Sequence, residues 1–147
     1  MLFLLASCIS CQTNEEITTE IVQVNYGKSF GFCAGYCIQE LYINDEMVSF
    51  RTYTWTDDLS FPDINCFKND YNWTPLLNSL HLSDIKNSDP ILGCPDCADG
   101  GAEWIEIELP NDTYRITFEY LNEPDFLSES VHILSPLLAS FSECMTP

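Results

Sequence analysis

Positive charge is what this sequence has least of. Its 147 residues include five Lys and Arg (Lys28, Arg51, Lys68, Lys86 and Arg115) against 23 Asp and Glu, for a net charge of −18. A phosphate backbone needs a basic footprint, and five scattered cations do not form one, so nucleic acid is excluded as a partner. Histidine is rarer still. His81 and His132 stand in no metal or nucleophile motif, and each reads as an ordinary helix residue. Adjacent acids such as Asp57 and Asp58 are expected by chance in so acidic a chain, so they are not read as an acid–base pair. The Asp and Asn residues between Asp57 and Asp70 lack the ordered alternation of an EF-hand calcium loop. With no catalytic constellation and no cofactor motif in view, the expectation is a non-enzymatic protein without a cofactor.

Long hydrophobic runs are missing as well. The longest apolar stretch opens the chain, and Met1 to Ser7 (MLFLLAS) is far too short to cross a bilayer. It does match the apolar region of a signal peptide, a segment that is removed from the mature protein. Leu5-Ala6-Ser7-Cys8 looks like the bacterial lipobox, whose cysteine receives a diacylglyceryl group before cleavage. Cys11 is the rival lipidation site, and the Gln12-Thr13-Asn14-Glu15-Glu16 that follows is similar to the acidic tether of surface-directed bacterial lipoproteins. A typical signal opens with Lys or Arg and this one has neither, which leaves room for a start upstream. The expected organisation is a lipoprotein signal over 1–10, a polar tether over 11–19 and a single domain over 20–147. Several acyl chains anchor a protein stably where one binds only marginally. The resulting expectation is a protein lipid-anchored to the outer membrane of a bacterial envelope, facing the periplasm or the surface.

What the domain contains is apolar enough to fold: hydrophobic residues make up 46% and aromatics 13% of the chain. Alternation predicts a first strand over Glu20 to Tyr26, ended by Gly27. Ile38 to Ile43 and Met47 to Trp55 flank the polar Asn44-Asp45-Glu46 and predict a hairpin. The segment from Thr56 to Asn72 carries the chemistry of a loop. Thr74 is a good N-cap with Pro75 in the first helical position, and Leu76, Leu77 and Leu80 face the core. The clearest strands are Glu103 to Leu109 and Tyr114 to Tyr120, joined by a turn at Pro110-Asn-Asp-Thr113. Leu127, Val131, Leu134, Leu138 and Phe141 recur at helical spacing, with Pro136 either kinking that helix or starting a second one. The expected architecture is α+β: an antiparallel sheet of about five strands with two helices on one face.

Six cysteines lie beyond the leader: Cys33, Cys37, Cys66, Cys94, Cys97 and Cys144. An even count in an exported chain predicts disulfides, but spacing alone does not choose among the possible pairings. The rival use is a four-thiolate zinc site from Cys33, Cys37, Cys94 and Cys97. A thiol-redox role for Cys94 and Cys97 needs a lowered thiol pKa, whereas the motif is followed by Ala-Asp-Gly-Gly and flanked by Asp96 and Asp99, which would raise it.

Ser29-Phe-Gly-Phe-Cys33-x3-Cys37 together with Cys94-Pro-Asp-Cys97-Ala-Asp-Gly-Gly-Ala-Glu-Trp104 resembles a family of small, functionally uncharacterised bacterial envelope lipoproteins. The resemblance implies an envelope address and joins the Cys33/Cys37 pair with the Cys94/Cys97 pair as a feature of the fold. It supplies no activity. The leading expectation is a binding module that meets an envelope protein or glycan through loops and aromatics, with Phe30, Phe32, Tyr36 and Trp104 as contact candidates. Trp55 and Trp73 are the other tryptophans, and Trp104 falls on the glutamate face of its strand, where an exposed indole would anchor a partner or sugar and the favoured alternative is that a helix, a loop or the aromatic-rich segment covers it. The alternatives are a metal or redox site at the cysteines, and an acidic inhibitor of a cationic envelope-attacking enzyme, for which charge is the sole argument.

Overall fold

A computed structural model describes residues 21–56 and 61–145. The leader and tether, with Cys8 and Cys11, and the Asp57-Asp58 pair lie outside the described residues. Within them the chain is α+β, as expected. One antiparallel sheet is built from β1 (Gln23–Ser29), β2 (Ile38–Ile43), β3 (Met47–Tyr53), β4 (Ile64–Asn69), β5 (Ala102–Glu108) and β6 (Thr113–Glu119). The strand order is β4-β3-β2-β1-β5-β6. The chain thus runs a four-strand meander, leaves for the helices, and returns as a hairpin on the other side of β1.

Alternation sets the two faces. Val24 and Tyr26 of β1, Leu41 and Ile43 of β2, Val48 and Phe50 of β3, Ile105 and Ile107 of β5 and Ile116 and Phe118 of β6 point into one core. That face is covered by α1 (Thr74–Ser79), α2 (Leu82–Asn87) and α3 (Ser128–Ala139). Helix α3 buries Val131, Leu134 and Leu138 on a single stripe, and Leu127 and Phe141 extend it at either end. Phe141 stacks on Phe50 with ring centroids 5.3 Å apart. Small residues let α1 and α3 approach closely, and the buried hydroxyls of Ser79 and Ser130 lie 2.9 Å apart. Helix α3 runs unbroken through Pro136, which sits in its last turns, where few further bonds depend on the helix N–H ladder.

Four expectations need correcting. The sheet has six strands rather than about five, because β4 lies inside the segment read as a loop. As an edge strand it buries little, so Asn65, Lys68 and Asn69 leave no apolar alternation to detect. Gly27 does not end the first strand; β1 is shifted along the chain and Gly27 sits within it, paired with Trp104 on β5 and Glu40 on β2. The helix at Thr74 is capped from Trp73, with the Asn72 side chain accepting the Thr74 N–H at 3.2 Å. It also ends at Ser79, and a separate α2 follows, giving three helices on the covered face rather than two.

Both edge strands are tied to other parts of the chain. Beside β6, Thr117 N–H donates to the Pro90 carbonyl and Leu92 N–H to the Thr117 carbonyl, each at 2.9 Å. Beside β4, Cys66 is bonded to Cys144, which ties the edge to the turn after α3. Lys68 adds a 2.7 Å bond to the Ser140 hydroxyl and lies 4.3 Å from the Phe141 ring centroid.

Candidate functional site

β1 and β3 finish at the same end of the sheet at which β2 and β4 begin, and β5 starts and β6 stops there too. The segments over 30–37, 54–56, 61–63, 93–101 and 120–124 are therefore gathered into one loop end, and they carry both cysteine motifs. Asp96 locks two of them together. Held at φ 60°, it accepts the N–H of Gly31 at 3.1 Å and of Gly101 at 3.2 Å through one carboxylate oxygen, while its own N–H donates to the Gly101 carbonyl. Gly101 has φ +86°, and the Phe30 ring fills the space a Cβ would need. Phe30 in turn meets Tyr120 edge-on at 4.9 Å, and its carbonyl accepts the Trp55 indole N–H at 2.7 Å. On the other flank Tyr36 donates to the Pro62 carbonyl at 3.0 Å and packs edge-on against Phe61.

The disulfides are Cys33–Cys37, Cys94–Cys97 and Cys66–Cys144, with Cα separations of 5.6, 5.5 and 6.5 Å. The first two each close a short loop within the two motifs, so the pairs are neighbours without being cross-linked to each other. The four sulfurs of the alternative zinc set are thereby engaged in two separate bonds. Among the described residues no group of three or more His, Cys, Asp and Glu side chains is arranged to hold a metal ion.

Of the contact candidates, Phe30, Phe32 and Tyr36 do gather at the loop end, and Phe32 is 87% exposed. Trp104 does not join them as an accessible anchor. It lies on the glutamate face as expected, but it is only 5% exposed: its indole covers Gly27, and the Arg115 guanidinium sits 4.4 Å from its ring. Two further aromatics enter the site. Trp55, 53% exposed, and Phe61 line a cleft of about 220 Å³ with the Cys33–Cys37 loop. Trp55, expected as the last residue of a hairpin strand, falls beyond the end of β3 at Tyr53, and Phe61 falls in the segment read as a loop, where no periodicity marks a side chain as accessible. Trp73 packs against the core. His81 caps α2, and His132 is tied through Nδ1 to the Ser128 carbonyl at 2.7 Å.

The helix-free face is a polar network. Glu40 accepts the hydroxyls of Tyr42 and Tyr53 at 2.8 and 3.0 Å, and the Asn25 amide donates to both Glu106 and Glu108. Partial burial, reinforced by the Glu40 carboxylate, raises the pKa of Tyr42 and Tyr53. On the opposite face Tyr26 donates at 2.6 Å to Glu103, a carboxylate only 2% exposed. Burial first, and then the Glu103 carboxylate, raise the Tyr26 pKa, so this phenol stays a donor. The second Glu103 oxygen accepts the N–H of Leu121 at 3.0 Å.

No protein-family model matches the chain, and no curated protein matches it. Among the described residues, the loop end brings exposed aromatic rings together beside a cleft.

Proposed function

We propose that this chain is a lipid-anchored protein of the bacterial cell envelope that acts as a non-enzymatic binding module. The observation that carries the reading is topological. The N-terminal segment enters at the start of β1, and β1 runs away from that entry to the aromatic loop end. Seven strand residues span roughly 20 Å. The tether therefore joins the domain at the sheet end opposite Phe32, Trp55 and Phe61, which supports a reading in which these rings meet an envelope protein or glycan. Three disulfides among the described residues suit an oxidising compartment. Exposed aromatic rings combine a flat apolar face with low conformational entropy, which suits protein and sugar partners alike.

The test is expression in a bacterium with the complete upstream sequence, followed by intact mass before and after alkylation without reductant. The expected product is cleaved before Cys8 or Cys11, carries acyl chains and takes up no alkylating agent. An unprocessed, soluble chain with reactive thiols overturns the reading and makes cysteine-based metal or redox chemistry the better one. For the surface, Phe32→Ala combined with Trp55→Ala should cost about 1–2 kcal/mol, because the Trp55–Phe30 hydrogen bond is lost, and leave the chain folded while abolishing retention on isolated envelopes. Undiminished retention places the contact elsewhere.

A further inference from the structure

The three disulfides meet solvent differently. Cys94 and Cys97 are both exposed, whereas an exposed Cys33 is joined to a buried Cys37, and Cys66 and Cys144 are both half-buried. The Cys94–Cys97 bridge also borders a cleft of about 220 Å³, walled by Gly100, Gly101, Glu119 and Tyr120. The Cys33–Cys37 bridge borders the aromatic cleft, but only one of its two residues is accessible. Thiol–disulfide exchange needs an attacking thiolate to reach a bridge sulfur, so access favours Cys94–Cys97 over the other two.

The backbone around this bridge is held in a costly form. Asp96, Ala98 and Asp99 lie in the left-handed region at φ 60°, 52° and 59°, which non-glycine residues enter at a cost, and alanine has no polar side chain to offset it. Within the Cys33–Cys37 loop the described residue in that region is a glycine, Gly35. Such conformations persist where the surroundings over-determine them. Here the bridge does so together with the Cys97 N–H on the Cys94 carbonyl and the bonds of Asp96 to Gly31 and Gly101. Asp96 is thus both part of the bridged turn and the latch on the other cysteine motif.

We propose that Cys94–Cys97 is a reducible switch: a dithiol reductant opens this bridge ahead of the other two, the turn relaxes, and Asp96 releases Gly31 and with it the loop that carries Phe32. One thiolate of the reductant attacks a bridge sulfur, breaking the S–S bond and forming a mixed disulfide, and its second thiol displaces the remaining protein sulfur. The reductant departs as a disulfide, and its two electrons and two protons end on Cys94 and Cys97 as thiols. Asp96 and Asp99 flank the pair and Glu119 accepts the Cys94 N–H at 2.8 Å. Their negative charge disfavours the thiolate that a redox catalyst needs. The equilibrium between a bridge and two neutral thiols is left to the backbone, so the pair receives electrons without relaying them. The switch regulates the loop end proposed above to bind, and it rests on that reading only for what the loop end meets.

The experiment is an equilibrium titration of the folded full chain with mixtures of reduced and oxidised dithiothreitol, each sample alkylated and mapped by peptide mass, alongside hydrogen exchange at the Gly31 amide. Cys94 and Cys97 are expected to become alkylated together, at a reduced-to-oxidised ratio about tenfold or more below the one that opens either other bridge. In that state the Gly31 amide should exchange about tenfold faster. Opening of Cys33–Cys37 or Cys66–Cys144 at the same or a lower ratio overturns the proposal, and so does an unchanged Gly31 amide once Cys94 and Cys97 are reduced. Cys94→Ala with Cys97→Ala should show the fast Gly31 exchange without any reductant, and slow exchange in that variant also overturns the latch. Because reduction of the unaltered chain is read directly, the test stands even where the variant fails to fold. None of these readouts involves a lipid, a membrane or a partner, so failure here leaves the binding role standing and failure there leaves the switch.

Discussion

Gly27 is the residue on which the middle of the open face depends. A Cβ there would enter the six-membered ring of Trp104 and come within 2.9 Å of the indole nitrogen. The indole cannot retreat freely, because Arg115 lies over it. Gly27→Ala is therefore expected to destabilise the fold by about 1–3 kcal/mol, measured as a drop in the urea midpoint, and to expose Trp104, measured as a red shift of its fluorescence. The sequence pointed the other way at Gly27 and left Trp104 open. A glycine after an alternating run reads as a terminator, and a tryptophan among glutamates reads either as an exposed anchor or as a ring covered by a neighbouring segment. Each reading is reasonable alone; the register between β1 and β5, which sequence does not state, pairs the two so that the missing side chain of one makes room for the other.

At the scale of elements, the three disulfides have unequal tasks. Cys66–Cys144 joins positions 78 apart in sequence, whereas Cys33–Cys37 and Cys94–Cys97 close loops of 4 and 3. Loop-closure entropy alone gives the long bridge about 4.5 kcal/mol and each short one about 2 kcal/mol. The double replacement Cys66→Ala with Cys144→Ala should thus lower the denaturation midpoint far more than Cys94→Ala with Cys97→Ala, and chemical denaturation of the two variants checks the order. The short bridges serve shape instead, fixing loops that Asp96 then fastens together. Much of this level was legible. The hairpins at Asn44 and Pro110 and the stripe of α3 all follow from period and turn chemistry. The pairing of cysteines was not, since it depends on where β4 and the end of α3 come to rest. β4 itself was hidden because an edge strand with one thin apolar side reads like a polar loop.

For the molecule as a whole, acidity leaves its mark at alkaline pH. Burial raises the pKa of Tyr26, Tyr42, Tyr53 and Tyr71, with carboxylates adding to the effect at the first three. Below about pH 10 these phenols are protonated in the folded and the unfolded chain alike. Above it the unfolded chain releases protons that the folded chain retains, so stability is constant to about pH 9 and declines as pH rises through 10 and beyond. Urea midpoints at pH 8, 9.5 and 11 should show this order, and phenolate absorbance of the folded protein should show part of its seven tyrosines titrating late. A decline that begins near neutrality would require another cause. The sheet order has a different consequence, for the sequence of events during folding. β1 acquires β2 from the residues just after it, but its other neighbour, β5, comes only after the whole meander and both short helices. Until Ala102 to Glu108 arrive, the strand that ends up in the middle is an outer one, with Gln23 to Ser29 offering an unfinished row of backbone donors and acceptors. A chain halted before Ala102 is then a half-sheet with an adhesive margin, and the interval before that margin closes is when a nascent copy is most open to pairing with another.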